Sequence, residues 1–270
     1  MVQKNSVLQK ASSALTPDQF LDHTLMRLLR HHALNVSRAE RHLHRIIEWR
    51  ASSKIAEVLP EVRCAPGCGL PVVEIAVSPD SDANTAGGGG NSLLCFSAGD
   101  QYLKSSLVRE VQIPAIDKMF DYVAFDPCGP QAQRCTIVVD FHGFSTKNID
   151  MNGMRIGIAA YLNYFPDVLT RVLLVNYPTI VYGVWRLVKP LLDARTVSHI
   201  VFVPSIRELH CHLDASFPKH IRPTWLGGTA QAKPVTLYNG SVLQPDELAM
   251  RFKLDSTATN EPSEGAEASQ

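Results

Sequence analysis

Neither sign of charge prevails in this sequence: 26 lysines and arginines balance 26 aspartates and glutamates over 270 residues. With no net charge and no basic run, there is no electrostatic footprint for a nucleic acid partner. Apolar runs of membrane-spanning length are missing too, since Asn176, Arg186 and Lys189 interrupt the best candidate. The N-terminus carries no apolar leader core, no glycine follows Met1, and no cysteine lies near Ala268-Ser269-Gln270, so a signal peptide, myristoyl or prenyl anchor is not expected. The expectation is a soluble, cytoplasmic protein.

Six cysteines are few for a disulfide framework, and reduced thiols are expected. Cys64 and Cys68 lack the matching second pair that a structural zinc site needs, whether it came from Cys128, Cys135 or His210-Cys211-His212, so no metal is expected. The tract Gly87 to Gly90 lacks the lysine and following Ser or Thr of a phosphate-binding loop and reads as a linker; no cofactor is expected. Asp140 and His142 fall on one face at a strand end, where open α/β sheets place ligand sites. No G-x-S-x-G elbow accompanies them, and Asp140 reads as a carboxylate satisfying turn amides. An enzyme is not expected, although a hydrolase using Asp140 and His142 stays open as a rival.

What is present is a switching hydrophobic period between Ile137 and Val203. Ile137 to Phe141, Val172 to Asn176 and Ile200 to Val203 are short β-branched runs of the kind that form buried strands. Between the first two, Met154, Ile158, Tyr161, Leu162 and Phe165 repeat at helical spacing, and between the second two Ile180, Val184, Leu187, Val188 and Leu191 do the same. Apolar strands joined by helices predict an α/β fold with a largely parallel sheet covered on both faces by helices. The second helix also carries Val181, Tyr182 and Trp185, which makes it apolar over more than one face. Such a helix is buried on both sides or borders something apolar that is not protein.

Upstream, Thr16-Pro17-Asp18-Gln19 has the form of a capped helix start, and Ser37 with Glu40 gives a second. They predict an N-terminal helical lobe over residues 15–55, with a linker around Asn35. Residues 56–233 form the main domain, with a flexible polar insertion near 80–91. Within it, Leu93 to Phe96 is expected as a strand, Ile116 to Phe125 as a helix ended by Pro127 and Gly129, and Ser205 to Leu213 as a short helix. Residues 254–270 lack large apolar side chains and are expected to be a disordered tail.

Phe165-Pro166-Asp167, Val175-Asn176-Tyr177-Pro178 and Val184-Trp185-Arg186-Leu187-Val188-Lys189-Pro190-Leu191-Leu192-Asp193 resemble, in content and order, the words of CRAL-TRIO lipid-binding domains. That family includes the fungal phosphatidylinositol transfer protein and the tocopherol transfer protein. Leu28-Leu29-Arg30, Glu48-Trp49-Arg50 and Trp225-Leu226-Gly227-Gly228 resemble its flanking segments. The resemblance implies a CRAL-TRIO-like mixed, largely parallel sheet with a pocket beneath a mobile gate helix. It also implies binding, and transfer between membranes, of a phospholipid or other small hydrophobic ligand, with transient contact at a membrane surface. By the same resemblance Ser145, Thr146, Asp167, Tyr177, Tyr182, Trp185 and Lys189 are the expected lipid-binding residues. His31-His32 stand where phosphoinositide binders carry an arginine. Some family members are protein-interaction scaffolds with a collapsed pocket, which is the alternative reading.

Overall fold

The computed structural model describes residues 19–52, 72–78, 90–98, 132–231, 235–236, 242–244, 246–247 and 250. The expected cap at Thr16 to Asp18, Cys64, Cys68, Cys128, Gly87 to Gly89, the helix from Ile116 to Phe125 and the tail 254–270 lie outside them.

Among the described residues two helices come first, α1 over Gln19–His31 and α2 over Val36–Ser52. The turn between them uses left-handed backbone at two residues that are not glycine, Ala33 (φ 48°) and Leu34 (φ 65°). Their amides bond back to the carbonyls of Arg30 and Leu29, which satisfies acceptors at the end of α1. The sequence places the second cap at Ser37, but the cap is Asn35, whose Oδ1 accepts from the Arg38 amide at 3.0 Å. An asparagine oxygen reaches the third amide of the helix better from one residue before the first turn than Ser37 does from inside it. Leu28, Ala39, Leu43 and Ile46 bury the seam between the two helices.

Five strands follow in sheet order β1 to β5: Val72–Ser78, Gly90–Ser97, Ala132–Asp140, Leu169–Val175 and Ile200–Phe202. β1 pairs antiparallel with β2, and the remaining pairs are parallel. The mixed, largely parallel sheet agrees with the expectation, but β1 was not legible in the sequence. β2 starts at Gly90, so the end of the glycine tract is drawn into the sheet and pairs with Ala132.

Crossovers carry α3 over Met151–Tyr164, α4 over Ile180–Val188 and α5 over Ala194–His199, followed after β5 by α6 over Ile206–Asp214. α3 is capped by Asp150, which accepts from the amides of Asn152 and Gly153, and α6 by Ser205. A short antiparallel pair, β6 (Val235–Thr236) and β7 (Val242–Leu243), lies downstream. α5 is an addition to the expected order; Asp193 caps it through the Thr196 amide at 2.8 Å.

The alternation of the strands sorts the two faces of the sheet. Cys95, Val138, Leu173, Val175 and Val203 pack with Leu209 and Leu213 of α6, Phe217 and Leu226 in one core. Each such leucine or phenylalanine contributes about 1.5–3 kcal/mol by leaving water. The opposite face is covered by α3 and α4, and there the packing is incomplete. The helical hairpin docks beside it: Trp49 stacks on Tyr164 with ring centroids 4.0 Å apart and planes at 6°.

Candidate functional site

β2 to β5 place one cross-strand row on the incomplete face: Phe96 pairs with Val139, Val139 with Leu174 and Leu174 with Phe202. In parallel register these four side chains stand side by side. They floor a cavity of about 240 Å³ whose roof is α4 and whose far wall includes Met154 of α3. Apart from Asn148 and the indole N–H of Trp185, every lining side chain is apolar.

The face that α4 turns to this cavity is Val181, Val184, Trp185 and Val188, at spacings of three, one and three. This corrects the stripe read from the sequence. Leu187 and Leu191 are 61% and 40% exposed, and Tyr182 beside them is 41% exposed. The helix stops at Val188 because Pro190 forces a 3-10 turn over Lys189–Leu191, so Leu191 leaves the helical register. The doubly apolar surface legible in the sequence is thus split, with one side over a cavity and the other toward water.

A second cavity of about 230 Å³ adjoins the first and shares Val172, Val188 and Ile200 with it. Its remaining walls come from α3, where Gly157, Ile158 and Tyr161 continue the row begun by Met154, from Leu169 and Leu192, and from Thr196 and His199 of α5. This end is more polar. Burial holds the Tyr161 phenol well above its usual range. Burial, then the nearby Arg195, lowers the pKa of His199 and favours its neutral form.

Asp167 stands behind this end, in a cleft that also contacts Tyr161 and His199. Its backbone is left-handed (φ 57°) and its side chain is nearly inaccessible. Three arginines engage the carboxylate: Arg30 of α1 at 3.2 Å, Arg195 of α5 at 2.5 Å and Arg134 of β3 at 3.8 Å. One carboxylate therefore ties the helical lobe, the sheet and the last crossover together.

Of the seven residues expected at the site, Trp185 alone lines the large cavity. Tyr177 is buried beneath it, edge to face with Tyr182 at 5.4 Å and with Phe202 at 5.1 Å. Ser145 and Thr146 are exposed and open the turn that carries Asn148, whose Oδ1 accepts from the Ser145 amide at 2.9 Å. Lys189 is exposed at the end of α4 and enters none of the ion pairs among the described residues. Asp140 is buried, and its Oδ1 accepts from the His142 amide and from Asn176 Nδ2, both at 2.9 Å, as a strand-end carboxylate bonded to turn amides should. His142 is exposed. Sequence reasoning missed Asn148, Thr196 and His199, because isolated polar residues in a turn or a two-turn helix carry no period; for Asn148 the loop position just before a capped helix was the available signal.

This chain is similar to known proteins. A CRAL-TRIO domain-containing protein of Schizosaccharomyces pombe (strain 972) is 27% identical over 85 residues, which is 32% of this chain and 19% of that relative's length. The solved structure of Sfh5 is similar with a TM-score of 0.48 and 19% identity, covering 67% of this chain and 66% of that one. The chain thus spans about a fifth of the curated relative and just under two thirds of the solved structure. CRAL-TRIO proteins are carriers that bind hydrophobic lipid ligands. The CRAL/TRIO domain model matches residues 90–228, more than half of the chain and the segment that holds β2 to β5, α4 and both cavities, so this chain belongs to the CRAL/TRIO domain family.

Proposed function

We propose that this chain binds one phospholipid or similar hydrophobic ligand reversibly in the space between the sheet and α4, and carries it through the cytoplasm between membranes. The observation that supports it is the cross-strand row from Phe96 to Phe202 facing an unfilled apolar cavity. Well-packed interiors leave few voids larger than a water molecule, and a void of this size lined by hydrocarbon is a place for hydrocarbon. Ligand pockets occupy about 300–1,000 Å³, so either cavity alone falls short and the two joined across Val172, Val188 and Ile200 suffice. Two of those three residues are sheet residues, and Val188 is at the end of α4. Displacement of α4 therefore both joins the cavities and opens them.

The polar end of the ligand lies near Tyr161, Thr196 and His199 in this reading, with Asn148, Ser145 and Thr146 at the opposite end and Lys189 near the gate. Tyr182, Leu187 and Leu191 form the apolar outer side of the gate and make the transient membrane contact. Chain transfer needs no bond making.

Native mass spectrometry of protein purified from cells tests the reading, together with Val184→Trp, which fills the large cavity. A near-stoichiometric hydrophobic ligand in the wild type and at least a tenfold lower occupancy in the variant are expected. A folded wild type that carries no ligand and takes none up from vesicles would favour a scaffold with a collapsed pocket.

A further inference from the structure

The left-handed turn after α1 brings His31 and His32 onto His42 of α2, and the ligating atoms of the three imidazoles lie within 4.8 Å of one another. His42 is 3% exposed, and its Nε2 is 2.5 Å from the backbone carbonyl oxygen of Asn163 near the end of α3. A carbonyl only accepts, so Nε2 of His42 carries the proton and Nδ1 carries the lone pair. That lone pair points at Nε2 of His32, 2.9 Å away.

We propose that His31, His32 and His42 form a binding site for a divalent transition-metal cation of the zinc class, which clamps the end of α1 to α2 and, through Asn163, to α3. Three observations carry it. Imidazole is a favoured ligand of such cations, and the set is three imidazole nitrogens. The His42 arrangement, one ring N–H donated to a backbone carbonyl and the other nitrogen turned inward, is the outer-shell pattern that fixes a metal-binding histidine. The His32 to His42 separation is a few tenths of an ångström below the roughly 3.3 Å that two Zn–N bonds of about 2.0–2.1 Å require at a tetrahedral angle. His31 is exposed, so its ring is free to complete the set, and a fourth position is left to water.

The electrostatics are consistent. Burial, foremost, and the neighbouring imidazoles lower the pKa of His32; burial and Arg45 lower that of His42, against the Asn163 bond, which raises it. Arg38 and Arg45 disfavour both a proton and a metal here, which predicts a site of moderate affinity for a strongly ligating ion and none for magnesium or calcium, which need oxygen ligands. The site lies in the helical lobe, apart from the apolar cavities, and acts on how the lobe is held.

The test is titration of chelator-treated full-length protein with Zn²⁺ by competition against a chromophoric chelator, repeated with Co²⁺ for its visible spectrum. One ion per chain is expected, with a tetrahedral Co²⁺ spectrum. His31→Gln and His32→Gln, both away from the buried core, should each weaken binding by at least the about 10–100-fold that loss of an outer-shell partner costs, with far-ultraviolet circular dichroism unchanged. His212→Gln, at the separate His210-Cys211-His212 run, should leave it intact. Absence of stoichiometric binding below millimolar Zn²⁺, equal binding by wild type and both variants, or loss in His212→Gln would overturn the proposal.

Discussion

The indole of Trp185 on α4 meets the ring of Phe202 on β5 at an angle of 67°, with centroids 5.8 Å apart. This contact joins roof to floor at one wall of the large cavity, and Tyr182 stacks on the same Phe202 at 5.0 Å. Among the described residues, α4 is thus held against β5 by aromatic contacts.

Trp185→Ala is therefore expected to cost less than the about 3–5 kcal/mol of a fully packed tryptophan, because part of the indole already borders empty space. Liposome-to-liposome transfer should change markedly in the same variant. Melting temperature and transfer rate measured together decide the matter: a severe loss of stability would return Trp185 to the ordinary core.

Asp167→Asn isolates the charge, since asparagine tolerates the left-handed backbone at this position. It leaves three arginines facing one another without their shared carboxylate. The expected destabilisation lies between the about 1 kcal/mol ceiling of exposed pairs and the about 3–5 kcal/mol of breaking a buried one, since the arginine side chains are partly exposed. Urea unfolding at low and high salt measures it. A shift within error of zero would mean the cluster does not hold the lobe.

Gly228 has no room for a methyl group, because a Cβ there would run into the Arg222 backbone. Gly228→Ala should cost about 1–3 kcal/mol by overpacking. Gly183 in α4 is the converse case: a Cβ meets nothing within 4 Å, so Gly183→Ala should gain up to about 1 kcal/mol of helix stability. Equal denaturation midpoints for the two variants would refute this reading of the turn.

His210 has a buried Nε2 with no hydrogen-bond partner among the described residues. Burial and then Arg222 lower its pKa, with Lys219 acting in the same sense and Asp214 against it. Its folded pKa is below the unfolded value, so its contribution to stability is complete above about pH 6.5 and is lost as pH falls through the folded value. Unfolding curves at about pH 7.5 and about pH 5 should show the loss, and His210→Gln should flatten it. An unchanged slope in the variant would assign the effect elsewhere.

The sequence alone determined the alternation of strands and helices from Ile137 to Val203, the end of α4 at Pro190, and the anomaly of a helix apolar on two sides. These are local properties, written in period and in proline chemistry, and each is decided by residues within a few positions of one another. It did not determine β1, whose partner strand alone makes Val72–Ser78 a strand, nor which residues of α4 face inward. That choice follows from where the sheet row ends at Phe202, a contact between residues far apart in sequence. The Asp167 cluster and the His31, His32 and His42 set likewise join side chains brought together by folding. Geometry between distant elements depends on how helices and strands pack, and a single sequence carries no period that records it.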